Sequence, residues 1–205
     1  MSEALLLLNG PAQDKKTLRA IAKDVELIAC ADGGLKVALE AKLTPDIVIG
    51  DMDSRPKKLP KLPETVYLCD FDEDRSDFEK SLEWLKGAGF EEIFISGVRG
   101  GRVDHERVNW SVVRAWSSKL EITVIDGGIT RLLQPGHHRF PCSKGRTVSL
   151  VADTTSAVVS TKGLHYQLKE EKIRLGSRGL SNQCLRKTYE IQVHSGRIWM
   201  VYPDR

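Results

Sequence analysis

The chain has 205 residues, with 31 Lys and Arg against 28 Asp and Glu. That excess of three cations (31 − 28) is too small to carry a nucleic-acid partner, and no dense basic stripe runs through the sequence. The apolar run at residues 4–8 is too short to span a bilayer and lacks the basic leader and cleavage site of a secretory signal, so the expectation is a cytoplasmic protein with no membrane partner.

Residues 4–8 read as a strand buried on both faces, stopping at Asn9-Gly10-Pro11. A short helix is expected over 17–23. A second strand over 26–30 stops at Asp32-Gly33-Gly34, and a helix over 35–42 leads to a third strand at 47–49. The alternation repeats with a strand at 66–69, a helix at 77–86, a strand at 93–96, and a helix at 106–117 with Val108, Val112, Val113 and Trp116 on one side. A β-branched strand at 122–125 closes the series at Asp126-Gly127-Gly128. Such alternation implies a doubly wound, mostly parallel sheet, whose ligands sit beyond the carboxyl ends of the strands.

After about residue 130 the texture changes to short β-branched segments at 147–152, 157–161, 188–193 and 198–202. Ser195-Gly196 reads as a hairpin turn between the last two. With no helical pattern there, the expectation is an α/β domain over 1–130 and an antiparallel β domain over 131–205. Cys30, Cys69, Cys142 and Cys184 form no Cys-x-x-Cys and read as reduced, mostly buried thiols rather than a zinc site or a disulfide framework.

The chemistry-bearing residues gather at the strand ends. Asp51 and Asp53 flank Met52, and alternate residues of an extended backbone point to one side, where a divalent cation would relieve their repulsion. A polar turn accounts for Asp-x-Asp alone equally well. Asp32-Gly33-Gly34 offers backbone amides at a helix start, which suits phosphate. Ser76 or Asp77 can cap the next helix, and Asp77 and Lys80 share a helical face, pairing a carboxylate for metal with an ammonium for phosphate. In Gly100-Gly101-Arg102-Val103-Asp104-His105, Arg102 offers a bidentate phosphate grip, Asp104 a hydrogen-bond acceptor for substrate, and His105 a cap or a proton carrier. The segments 162–168 and 175–182 read as β-turns without derivable chemistry.

Taken in order, Ala31-Asp32-Gly33-Gly34, Thr44-Pro45-Asp46, Gly50-Asp51-Met52-Asp53-Ser54, Ser76-Asp77-Phe78-Glu79-Lys80, the 100–105 loop, Gly163-Leu164-His165-Tyr166-Gln167-Leu168 and Gly179-Leu180-Ser181-Asn182 resemble the thiamin pyrophosphokinases. The resemblance implies transfer of the β,γ-pyrophosphoryl unit of ATP to the hydroxyl of thiamin. It implies an α/β nucleotide-binding domain followed by a β-sandwich that binds thiamin and dimerises, in a homodimer using Mg²⁺. Asp51, Asp53 and Asp77 match its metal and phosphate carboxylates, Lys80 and Arg102 its phosphate-contacting cations, and Asp104 a residue of its cleft. Asp32 lies near those carboxylates, at the Asp-Gly-Gly turn with Gly33 and Gly34 as candidate binding residues, and Ser181 with Asn182 match its thiamin-side motif. Either Asp77 or Asp104 can take the hydroxyl proton.

Departures from the pattern are Glu73 where Lys is usual, Ser76 for Thr, Arg107 for Leu, Gln183 for Glu, and a shorter 176–179 turn. The rival readings are a pyrophosphokinase for another alcohol such as a hydroxymethylpterin, a metal-dependent nucleotide-sugar transferase, and a non-catalytic sensor.

Overall fold

An uninterrupted run of leucines fits a strand covered on both sides, and that is where it lies. In the computed structural model, which describes residues 2–11, 14–53 and 60–204, β1 (Glu3–Leu7) has Ala4, Leu5, Leu6 and Leu7 fully buried. Each such leucine stabilises the fold by roughly 1.5–3 kcal/mol. The chain divides into two units, Met1–Asp126 and Gly127–Arg205, a boundary four residues before the one read from the sequence (130 − 126).

The first unit continues with α1 (Lys15–Ile21), β2 (Leu27–Ala31), α2 (Gly34–Glu40), β3 (Ile47–Gly50), β4 (Val66–Cys69), α3 (Asp77–Gly87), β5 (Glu92–Ser96), α4 (Val103–Trp116) and β6 (Glu121–Val124). Its strands run in the order β6-β5-β1-β2-β3-β4, each neighbouring pair parallel. The chain winds outward from β1 to β4, then returns to the other side of β1 for β5 and β6. Leu5 and Leu7 pack with Leu18 of α1 and Leu35 and Ala38 of α2, while α3 packs on β2 and β3 and against α4.

Two helix starts lie earlier than the apolar pattern indicated. Asp14 caps α1 by accepting from the amides of Lys16 (2.9 Å) and Thr17 (3.2 Å), so that helix opens at Lys15. Helix α4 begins at Val103 instead of residue 106, which places Asp104 and His105 in its first turn. Val108 does not join the buried face that Val112 and Val113 form; it is half exposed.

The second unit comprises β7 (Gly128–Leu133), β8 (Gly136–Pro141), β9 (Thr147–Ala152), β10 (Ser156–Lys162), β11 (Glu171–Arg174), β12 (Asn182–Gln183), β13 (Thr188–Ser195) and β14 (Ile198–Pro203), with no helix among its described residues. They form two antiparallel layers, β12-β9-β14-β7 and β11-β10-β13-β8. Leu150, Ile198 and Met200 of one layer share a core with Val159, Ile191 and Val193 of the other, so this unit is a β-sandwich.

Two expectations are overturned here. Ser195-Gly196 is not a hairpin turn, because β13 and β14 belong to different layers and the segment crosses from one to the other. Gly196 has φ of 73°, and a Cβ there would lie 2.5 Å from the Ser156 carbonyl oxygen. Cys142 and Cys184 are not reduced thiols but a disulfide, closing 42 residues of sequence. The pair is invisible in the spacing because the sandwich, not the local sequence, brings them together. Cys30 is buried and free, and Cys69 is free but exposed.

Candidate active site

The doubly wound order places a crevice beyond the carboxyl ends of β1 and β5, where the winding reverses. A cleft of about 640 Å³ opens there in the first unit, lined among others by Asn9, Asp32, Asp51, Asp77, Lys80 and Arg102.

Asp32 follows β2 with φ of 32° and is buried, its amide donating to the Ile49 carbonyl (2.8 Å). Asp51 and Asp53 follow β3. They reach one side by a turn, not by extended alternation: Met52 has φ of 67°, and the Asp53 amide donates to Asp51 Oδ1 at 3.1 Å. One carboxylate oxygen from each of Asp32, Asp51 and Asp53 lies within 4.8 Å of the others. Asp32, which the resemblance placed near the metal carboxylates, sits with the acidic pair, and Asp77 is outside this group of three. Ser54 of the same motif lies outside the described residues.

Gly50 is the reason these acids can approach. A Cβ there would come 2.8 Å from Asp32 Cβ and 2.9 Å from Asp77 Cγ. Asp77 opens α3 behind Ser76, whose Oγ accepts from the Glu79 amide (3.3 Å), so Ser76 is the cap. Burial pushes the Asp77 pKa up; Lys80 opposes the shift, and Asp51 and Asp32 add to it.

Lys80 is buried, and its Nζ donates to Asp77 Oδ1 (3.2 Å) and to the Asp70 carbonyl (2.8 Å). Beside it Arg75 is held by Asp72 (2.7 Å) and by Glu83. Thr44-Pro45-Asp46 has a structural role: Asp46 Oδ2 accepts from the Ile28 amide at 2.7 Å, tying the entry of β3 to β2.

Gly33 lines the cleft, whereas Gly34 is packed beneath it. Arg102 also lines the cleft but is largely exposed, its guanidinium spent on Asp104: Nε to Oδ1 is 3.1 Å and Nη2 to Oδ2 is 2.6 Å. Asp104 therefore faces Arg102 and is not part of the cleft lining, while His105 is. The guanidinium holds the Asp104 pKa down, from an ordinary 3.8 to about 2. A folded pKa below the unfolded one means the pair contributes above the ordinary carboxylate range and is lost as pH falls toward 2. Arg102→Ala is expected to return the Asp104 carboxyl toward 3.8, read by NMR titration; an Asp104 that still titrates near 2 would assign the shift to another group.

In the second unit the structure joins the two turn-rich segments. Asn182 is buried, and its side chain brackets Tyr166: Nδ2 donates to the Tyr166 carbonyl (2.7 Å) and Oδ1 accepts from the Tyr166 amide (2.9 Å). Ser181 precedes it with φ of 58°, its amide donating to Ser149 Oγ at 3.0 Å. Asn182 thus fixes a loop that presents His165 and Tyr166 edge to face at 4.6 Å, both exposed.

The model of the thiamin pyrophosphokinase catalytic domain matches residues 18–125, and that of the thiamin pyrophosphokinase vitamin B1 binding domain matches 137–198. The chain belongs to the thiamin pyrophosphokinase family. Among its relatives, thiamine pyrophosphokinase 1 of Arabidopsis thaliana is 24% identical over 86% of this chain and 78% of its own. That of Oryza sativa subsp. japonica is 26% identical over 85% and 78%. The fold matches the crystal structure of thiamine pyrophosphokinase from Bacillus subtilis with a TM-score of 0.85 at 21% identity, covering 99% of each chain. It matches that of yeast thiamin pyrophosphokinase at 0.75 and 16%, covering 99% of this chain and 86% of the other.

The departures from the family pattern can now be placed. Glu73 lines the cleft, as Arg75 does. Ser76 keeps the capping hydroxyl. Arg107 is exposed on α4, and Gln183 is exposed on β12 with its amide on Asn182 Oδ1 (2.9 Å). The 176–179 turn ends with the Gly179 carbonyl accepting from the Leu150 amide at 2.8 Å. Sequence reasoning passed over Asp126, Glu106 and Asn109, which hold the 97–102 loop. Asp126 carried a signal, since Asp126-Gly127-Gly128 repeats the Asp-Gly-Gly of Asp32 at another strand end.

Proposed function

We propose that this family member transfers the β,γ-pyrophosphoryl unit of ATP to the primary hydroxyl of thiamin, giving thiamin diphosphate and AMP, with Mg²⁺ at the carboxylate group of the cleft. The observation that carries the donor side is the convergence of Asp32, Asp51 and Asp53 beyond the carboxyl ends of β2 and β3, with Asp32 and Asp51 in the cleft lining. Carboxylate oxygens alone, without His or Cys, suit a hard cation such as Mg²⁺. When bound, the ion neutralises phosphate charge.

The chain's own groups supply the rest. Lys80 brings a cation to the same wall as the acids, and it is held in place by Asp77 and Asp70. Arg102 has the bidentate geometry that phosphate oxygens match, and Asp104 keeps the guanidinium oriented. In the transfer the thiamin oxygen bonds to the β-phosphorus, the bond from that phosphorus to the α,β-bridging oxygen breaks, AMP leaves, and the hydroxyl proton goes to a base. Asp77 lines the cleft and Asp104 does not, which supports Asp77 over Asp104 as the proton acceptor. Positioning and charge compensation carry most of such catalysis.

Thiamin as the acceptor is supported by the vitamin B1 binding domain match over 137–198 and by the ordered Asn182–Tyr166 loop; neither feature favours a pterin alcohol or a nucleotide sugar. A homodimer follows the resemblance and is checked by sedimentation. No helix among the described residues is long and apolar enough to cross a membrane, which is compatible with a cytoplasmic setting.

The test is to incubate purified protein with ATP, Mg²⁺ and thiamin, and to assay AMP and thiamin diphosphate together. Stoichiometric formation of both is expected, and removal of the divalent ion by chelation is expected to stop it. AMP without thiamin diphosphate would exclude thiamin as the acceptor, and no AMP from folded protein with any alcohol would exclude pyrophosphoryl transfer.

A further inference from the structure

The 97–102 loop between β5 and α4 contributes Gly97, Gly100, Gly101 and Arg102 to the cleft wall. Its three glycines have φ of 94°, 79° and 75°, so the loop has little preference of its own for one shape. What gives it one shape is a set of side chains reaching it from other elements. Asp126, just past β6, is buried; its Oδ1 accepts from Ser96 Oγ (3.1 Å) and the Gly97 amide (2.9 Å), and its Oδ2 accepts from the Arg99 amide (3.0 Å). Its carbonyl accepts from Arg99 Nη1 at 3.1 Å. Glu106, in the first turn of α4, accepts from the Gly100 amide through Oε2 at 2.8 Å, and Asn109 Nδ2 donates to the Val98 carbonyl at 3.2 Å. Residues 97, 98, 99 and 100 are each anchored in turn.

We propose that Asp126 and Glu106 are positioning residues for the pyrophosphoryl donor: they fix the 97–102 loop, and with it the station of Arg102, without being part of the cleft lining. The physical reason is preorganisation. A glycine loop left free in the empty protein would have to be ordered by the nucleotide, and that entropy would be subtracted from affinity. Two carboxyl groups accepting from three amides remove that freedom beforehand. The inference rests on the reading of this cleft as the ATP site.

The test uses Asp126→Asn, Glu106→Ala and Glu106→Gln in the full chain, with kcat and KM measured separately for ATP and thiamin. Asn keeps one acceptor for Gly97 but can set an amide donor against the Arg99 N–H. Glu106→Ala removes the Gly100 acceptor, and Gln restores it. KM for ATP is expected to rise about tenfold in Asp126→Asn and about threefold in Glu106→Ala, and to return near wild type in Glu106→Gln. KM for thiamin is expected to stay within about twofold throughout, since no term in its binding changes. Unchanged KM for ATP in folded Asp126→Asn and Glu106→Ala, or equal rises for both substrates, would overturn the proposal. Should Asp126→Asn fail to fold, the Ala and Gln variants of Glu106 decide by the same criterion. If the wild type makes no AMP, the pyrophosphokinase reading falls. Calorimetric titration with ATP and Mg²⁺ then judges the loop alone: affinity lost in Glu106→Ala and regained in Glu106→Gln supports it, and equal affinities refute it.

Discussion

Asp51→Asn is expected to lower turnover with ATP, Mg²⁺ and thiamin by about 10²–10³-fold, the effect of deleting one electrostatic stabiliser from a transfer site. The substitution is well suited to isolate charge. Asn keeps an Oδ1 to accept from the Asp53 amide, the 3.1 Å bond that shapes the turn around Met52, so the backbone has no reason to move. It also removes one of the negative charges that raise the Asp77 pKa. Without divalent ion the variant should therefore melt no lower than wild type, and slightly higher if the acidic repulsion is felt. Circular dichroism melts with and without Mg²⁺ check this. A variant that loses activity and also melts several degrees lower in chelator would make Asp51 a structural residue, and one that retains full activity would remove it from the cation site.

Gly34→Ala should produce a large loss of stability in the first unit, about 3 kcal/mol or more, lowering Tm by roughly 10 °C. The new methyl would lie inside contact distance of the Leu7 carbonyl oxygen and 2.6 Å from its carbon. The obstacle is backbone in the central strand, with no rotamer to turn aside. Helix propensity would favour alanine here, so a fall in Tm reports the close approach of α2 to β1 and nothing else. Gly33→Ala is the matched control: the atoms nearest its Cβ belong to the Asn9 side chain, at 2.5 Å for the amide nitrogen, and that amide can rotate away. Equal melting temperatures for the two variants would contradict the packing account.

Much of the first unit was legible because its strands are β-branched or leucine-rich and end at Gly and Asp. The spacing of Asp77 and Lys80 anticipated their 3.2 Å ion pair, since three residues apart on a helix is a contact distance. Other features needed the third dimension. Asp32 joins Asp51 and Asp53 because β2 lies beside β3, and nothing local to Asp32 says so. Arg102 and Asp104 pair with each other because the helix begins at Val103, a start that the apolar pattern placed at 106. Asp126 reaches the 97–102 loop across about 30 residues. In the sandwich the period-two pattern located strands but not layers, which is why the 195–196 turn was misassigned and Cys142 with Cys184 went unpaired. A strand's alternation is the same whichever layer it joins.

The placing of β5 against β1 also bears on how the chain assembles. Leu7 lies opposite Ser96, 89 residues on (96 − 7), and Gly10 packs on Gly97 at the floor of the cleft. Contacts that close so long a stretch of chain form slowly, because the loop entropy is lost before the pairing is gained. During synthesis β1 emerges before the strands it pairs with, and one of its edges has no neighbour until residues 92–96 follow. Until then a run of leucines with open backbone groups is an invitation to the wrong partner. The central strand that carries the cleft thus waits, in a newborn chain, for a second neighbour that comes only after β2, β3 and β4 have been made.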